Sequence, residues 1–321
     1  MKLLSLPTDT KIPFMRWRKP VMLGALVAVI ASIVLFFTVG MNFGIDFRGG
    51  TVVEMRFEKP VDIAELRSEI GDLNFGDVQI VEFGQPTDVM VRVAEQPGGD
   101  EAQQRVVIML RELYDEEAEF RRVEVVGPRV SGELAEAGII AVVVALLAIM
   151  AYIWLRFEWH FAVGAVVTTA NDVLLTLGLF SVTQLDFNLT SIAAVLTIVG
   201  YSLNDTVVVY DRLRENLRRY KRMPLPELID LSINQMLSRT LMTSGTTVLA
   251  LIALAAFGGE VIRSFTIAMI WGVVVGTFSS IFIAAPMLIT LNMRPGRTSG
   301  TAGKGSDADG DEADEPQPAN A

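Results

Sequence analysis

Apolar residues in this chain follow two kinds of pattern: long uninterrupted blocks, and short stretches where apolar and polar positions alternate or recur at helical intervals. Six blocks approach the length of about 20 residues at which a helix, rising about 1.5 Å per residue, crosses bilayer hydrocarbon. They run from Val21 to Val39, Ala137 to Leu155, Phe161 to Val182, Leu189 to Tyr210, Leu237 to Phe257 and Thr266 to Leu291. The pattern predicts six transmembrane helices.

Between the first two blocks the character changes. Thr51–Phe57 alternates as a strand does, Asp62–Leu73 has helical spacing, and Val78–Phe83 and Val89–Val93 alternate again. A second helical stretch, Glu101–Glu117, precedes a last alternating run, Phe120–Val126. This β-α-β-β-α-β order predicts a ferredoxin-like α+β domain, with two helices covering one face of an antiparallel sheet. After Pro224 and Pro226, Glu227–Met236 carries apolar residues at helical intervals, which fits an amphipathic helix lying at the membrane interface before the fifth span.

Composition agrees with a membrane protein. The 321 residues are 51% hydrophobic, and a mean hydropathy of +0.43 is too apolar for an ordinary soluble protein of this size. The net charge of −10 identifies no basic partner, because the acidity gathers in the segment after Met41 and in Asp307–Glu315. Residues 293–321 shift to Gly, Ser, Asp, Glu and Pro, which predicts a disordered acidic tail. The segment Met15–Pro20 followed by Val21 looks like a secretory signal, but its apolar run is longer than an h-region and lacks a convincing cleavage site. A retained first helix is expected.

Lysine and arginine set the expected orientation, since cytoplasmic segments carry the positive excess. The N-terminal arm, residues 1–20, holds Lys2, Lys11, Arg16, Arg18 and Lys19, and the loop 211–236 holds Arg212, Arg214, Arg218, Arg219, Lys221 and Arg222. Thr183–Asn188 has no positive charge, and the connection near Gly258 and Gly259 has only Arg263. Both termini and the basic loop are therefore expected in the cytoplasm, with the domain 42–136 outside. The expected plan is an arm at 1–20, a first helix at 21–41, that domain, and a bundle at 137–292. Topology accounts for the basic loop without any nucleic acid.

An ionised group at the bilayer centre costs about 2.5 to 3.5 kcal/mol, so charges inside the blocks need a reason. Asp205 lies one to two turns inside the cytoplasmic end of the fourth block, and Arg239 near the start of the fifth, at matching depth. An arginine neighbour and a low dielectric act in opposite directions on a carboxyl's proton affinity, which leaves its protonation adjustable. The expectation is a proton relay in which Asp205 binds and releases the proton, Arg239 sets the affinity and Asn204 orients the network. The bland alternative is a static Asp205–Arg239 pair, or snorkelling of both to the headgroups. Asp172, after Asn171, lies nearer the middle of the third block and is harder to rescue by snorkelling; a relay role and a structural one are both open. Thr240, Thr243, Ser244, Thr246 and Thr247 make a stripe that lines a hydrated path or serves packing. Gly272 and Gly276 have the small-xxx-small spacing of close helix packing.

Other chemistry has little to stand on. Cysteine is absent and His160 is the single histidine, so disulfides are excluded and neither a metal site nor a cofactor is expected. No phosphate-binding loop or nucleophile elbow occurs, and enzymatic activity is not expected.

Three stretches then acquire a shared meaning: Gly44–Gly50 after the first block, Gly200–Thr206 in the fourth and Ser238–Gly245 in the fifth. Arg156–Trp159, Val126–Pro128 and Phe257–Gly259 add to them. In this order on a six-helix frame they resemble the SecD/SecF family of bacterial protein-export subunits, on its SecF side, over roughly residues 15 to 292. The resemblance implies kinship with RND transporters and a place among the lipids of the inner membrane. It also implies SecD and the SecYEG translocon as partners, unfolded exported polypeptides as cargo, and protons as the drive. It gives weight to Asp205, Arg239 and Asn204, while Asn171 stands where relatives often have His. Gly44, Asp46, Gly49 and Gly50 are expected to shape the exit from the first helix into the domain. Half of an RND small-molecule exporter and a purely structural assembly subunit are the rival readings.

Overall fold

The computed structural model describes residues 10–82, 84–259 and 262–293; the expected acidic tail lies outside them apart from Met293. Among these residues six helical runs are long and apolar enough to cross a membrane. A helical turn at Phe14–Trp17 leads into α1, Arg18–Thr38. The others are α5 (Pro128–Arg156), α6 (Trp159–Thr183), α7 (Leu189–Arg219), α8 (Leu225–Phe257), and a last run of α9 (Arg263–Ser279), a π-helical turn Ser280–Ala284 and α10 (Ala285–Thr290).

Between α1 and α5 come α2 (Ile45–Arg48), β1 (Gly50–Phe57), α3 (Ile63–Gly71), β2 (Val78–Glu82), β3 (Asp88–Val93), α4 (Gly99–Tyr114) and β4 (Ala118–Val126). The strands pair antiparallel in the order β2-β3-β1-β4, which is the ferredoxin-like topology. Val53, Met55, Val89 and Val91 alternate onto one face and meet Leu66 and Ile70 of α3 and Val106 and Leu110 of α4. Each such side chain, fully buried, contributes about 1.5 to 3 kcal/mol. At the sheet margin Arg56 donates to both carboxylate oxygens of Asp88 at 2.5 Å, and that guanidinium holds the Asp88 carboxyl below its ordinary range.

Two elements differ from expectation. The stretch 211–236 is not a basic loop followed by an interfacial helix. Instead α7 runs on to Arg219, only residues 220–224 turn, and α8 is continuous from Leu225. Pro224 and Pro226 occupy the N-cap and first turn of α8, where a missing N–H costs nothing. The apolar face read as lying on lipid packs instead on the extension of α7: Leu228, Ile229 and Ile233 join Leu213 and Leu217 in one core. Asn216 Nδ2 crosses between the helices to Ser232 Oγ at 2.8 Å and Gln235 Oε1 at 2.9 Å.

The N-terminal segment also starts its helix early. Phe14 and Met15 are buried in that same core, the Met15 N–H donates to Asp230 Oδ1 at 2.9 Å, and Ile12 exchanges two hydrogen bonds with the Asn234 side chain. Elsewhere in the bundle Ser32 of α1 lies against Gly178 of α6, where a Cβ would fall 2.2 Å from its Oγ.

Candidate functional site: two buried carboxyls and a docked loop

α6, α7 and α9 converge on two acidic side chains. Asp172 on α6 is fully buried. Its Oδ2 accepts from Ser202 Oγ of α7 at 2.5 Å and from Ser279 Oγ of α9 at 2.8 Å, and its Oδ1 from Asn171 Nδ2 at 3.1 Å. Asp205, one turn beyond Ser202 on α7, is also buried. It accepts from Thr240 Oγ1 of α8 at 3.0 Å and from Ser280 Oγ at 2.7 Å. Ser279 and Ser280 are consecutive, at the point where α9 gives way to the π turn. Pro286 in the following turn has no N–H to give and its ring crowds the preceding carbonyls, a common setting for such register changes. The altered register lets two adjacent hydroxyls serve two acids.

The helices come this close because glycine permits it. A Cβ on Gly272 would lie 2.2 Å from Ile198 Cγ1, and one on Gly276 3.1 Å from Ser202 Cβ. Both glycines thus lie where α9 faces α7, and Gly276 does so against Ser202, a donor to Asp172.

Arg239 and Asn204 stand apart from this cluster. Both are exposed on the surface of the chain, and among the described residues no ion pair joins Arg239 to Asp205. Thr240, one residue on, is the member of α8 that touches the carboxyl. Of the remaining stripe, Thr243, Thr246 and Thr247 bond carbonyls of their own helix, whereas Ser244 joins Thr277 at 2.6 Å and Tyr201 at 3.3 Å. Ser202, Ser279 and Ser280 were not singled out by sequence; a Ser-Ser pair inside an apolar block was the available signal. A carboxyl held by hydroxyls can keep or release a proton without losing its partners, since each hydroxyl both donates and accepts.

The glycine-rich segment forms the docked loop. Gly44 N–H donates to Phe187 O at 2.8 Å and Phe187 N–H to Asn42 O at 2.8 Å. A Cβ on Gly44 would meet Asn188 Cβ at 3.2 Å. Asp46 Oδ2 accepts the first amide of α7, Leu189 N, at 2.9 Å, while Asn188 caps Ser191 N at 3.0 Å. The helix start is thus capped partly by its own N-cap residue and partly from the exit of α1. Gly49 and Gly50, at φ of +74° and +128°, make the turn from α2 into β1, and a Cβ on Gly50 would lie 2.5 Å from Val93 O. Only glycine suits that position. His160 is the second residue of α6, stacked on Trp159 at 3.7 Å, and among the described residues no group of His, Cys, Asp and Glu could hold a metal.

Six membrane-length helices among the described residues, a ferredoxin-like domain between the first two and two acids buried among the helices define a polytopic membrane protein. The family model described as protein export membrane protein SecD/SecF, C-terminal, matches residues 106–294, and that described as SecD/SecF GG motif matches residues 34–61. The chain belongs to the SecD/SecF family of protein-export membrane proteins, on its SecF branch.

The protein translocase subunit SecF of Rickettsia bellii is 44% identical over 289 residues, covering 88% of this chain and 94% of that protein. SecF of Rhodobacter capsulatus is 44% identical over 307 residues, covering 91% and 92%. SecDF of Brucella abortus is 47% identical over 310 residues; the match takes in 96% of this chain but 40% of that protein. The crystal structure of SecDF from Thermus thermophilus, described as a translocon-associated membrane protein, superposes with a TM-score of 0.81 at 34% identity over 91% of this chain and 40% of its own.

Proposed function

We propose that the chain is the SecF subunit of a bacterial inner-membrane export machine, and that protons passing Asp205 and Asp172 drive its conformational cycle. The observation that carries this reading is that Ser279 and Ser280, adjacent on one helix, hold one acid each. Gaining or losing a proton at either acid then reverses the direction of hydrogen bonds that position the same helix. One charge moved through 100 mV gains about 2.3 kcal/mol, enough to shift a two-state equilibrium by about fiftyfold.

The exposed Asn204 and Arg239 fit a bundle completed by a second one. SecD is the partner proposed for this face, with Arg239 turned toward the seam where a proton path would enter. The distribution of Lys and Arg supports cytoplasmic termini and a periplasmic domain. That domain, tied to the start of α7 by Asp46, would carry the movement to unfolded polypeptide leaving SecYEG. No cofactor and no covalent chemistry enter this cycle.

The test is export by reconstituted SecD, SecYEG and this chain, with and without a proton gradient. Asp205→Asn and Asp172→Asn are expected to assemble normally and lose the gradient-stimulated fraction. An assembled Asp205→Asn complex that keeps full stimulation would instead make the acids structural. Purification with an exporter partner in place of SecD and SecYEG would support the RND exporter reading.

A further inference from the structure

At the basic end of the bundle, the C-terminus of α5 and the outer turns of α7 enclose a cleft of about 530 Å³ lined by Arg156, Asp211, Arg214, Glu215, Arg218 and Arg219. Its two carboxylates are already engaged: Asp211 faces Arg156 at 3.5 Å and Glu215 binds Arg212 at 2.5 Å. Arg214 and Arg218 enter no ion pair among the described residues. The Nε of Arg214 is closed off from solvent and has no hydrogen-bond partner. The cleft therefore keeps a surplus of guanidinium charge with donors to spare.

Its depth is marked by its neighbours. Arg156 is the last residue of a membrane-length helix, and the exposed side chains beside it are Tyr152, Trp154, Leu155 and Trp159. Tyr and Trp concentrate at the headgroup level, where an amphipathic ring meets both phases. A positive excess on one side of a membrane requires only a charge count; it does not require guanidiniums gathered around one cleft at that level.

We propose that this cleft binds the phosphate of an anionic phospholipid in the leaflet on the basic side, with Arg214 and Arg218 as the principal donors. A guanidinium fork matches two phosphate oxygens at once, and the lipid's acyl chains would continue along the apolar surface at Leu155. The site lies at the cytoplasm-facing end proposed above, away from both buried acids, and does not depend on their role.

The experiment uses the full chain purified in detergent, titrated with phosphatidylglycerol or phosphatidylcholine and followed by native mass spectrometry and thermal unfolding. Phosphatidylglycerol is expected to bind and raise Tm where phosphatidylcholine does not. Arg218→Gln, at an exposed residue, is expected to weaken that binding by about fivefold and the double variant with Arg214→Gln by about 25-fold, the cost of one and two basic contacts near a membrane surface. Arg67→Gln, on α3, should leave it unchanged. Equal affinity for the two lipids, or unaltered phosphatidylglycerol affinity in Arg218→Gln, would overturn the proposal. So would the same protection by inorganic phosphate alone, or preferential retention of an RNA oligomer.

Discussion

Arg92 of β3 and Asp186 of the connection between α6 and α7 form an ion pair at 2.5 Å, one of the contacts that join the sheet to the bundle. The same carboxylate accepts from Asn42 Nδ2 at 2.7 Å, just after α1, so one side chain ties three segments. Because both partners are partly exposed, we expect a coupling of about 1 kcal/mol in a double-mutant cycle of Arg92→Ala and Asp186→Ala. Thermal unfolding in detergent measures it. Amide exchange in β3 should rise in either single variant, and the charge-swapped pair should recover part of the loss.

Asp46 supplies an acceptor to a helix it does not belong to. Asp46→Ala is expected to destabilise the start of α7 by about 0.5 to 2 kcal/mol, as loss of a cap does. Asp46→Asn, which keeps a carbonyl acceptor, should retain most of that stability. Exchange protection of the Leu189 amide reports both outcomes.

Close packing of α9 on α7 makes its two glycines unequal. Gly272→Ala forces a Cβ onto Ile198 and is expected to cost about 1 to 3 kcal/mol, with Ile198→Ala restoring part of it. Gly276→Ala, whose Cβ would sit at 3.1 Å, should cost less. The order of the two melting temperatures in detergent decides whether contact distance sets the penalty.

Asp88 gives the domain a sensitivity to acid. Its folded-state carboxyl lies below the ordinary range because Arg56 donates to it. The pair's contribution is therefore complete above the unfolded value of about 3.9 and is lost as pH falls through the lower folded value. Exchange protection in β1 and β3 should decline below about pH 4, and Asp88→Asn should flatten that decline.

Ser280→Ala and Ser279→Ala remove one donor each from Asp205 and Asp172. A buried acceptor left short of a donor costs about 1 to 3 kcal/mol, so each variant should lower gradient-stimulated export several-fold without blocking assembly with SecD. An unchanged export rate in both would separate these hydroxyls from the cycle.

Much of the fold was legible in sequence because its patterns are strong. Alternation in Thr51–Phe57 and Val89–Val93, with helical spacing between the strands, yields the β2-β3-β1-β4 sheet, and the six apolar blocks lie within the six spans but for the last residue or so of two. Asp172 and Asp205 stood out because charge is costly in lipid. Their partners did not, since Ser202, Ser279 and Ser280 are neutral and small, and whether a hydroxyl meets a carboxylate or its own helix depends on rotation about three helix axes. The same rotation decides that Thr240, and not Arg239 one residue before it, is turned inward to Asp205. The extension of α8 was hidden by its own amphipathic face, which reads alike whether it lies on lipid or against another helix.

The length of α8 has a mechanical consequence. Along one unbroken rod, Asp230 and Asn234 grasp the N-terminal segment, Thr240 reaches the acid of α7, and Ser244 meets Thr277. A continuous helix passes part of any rotation at one level on to the next. On the proposed cycle, a twist of α8 that frees Asp205 would also tug on the chain entering α1, and a restraint on that entry would act as a brake on the acid within.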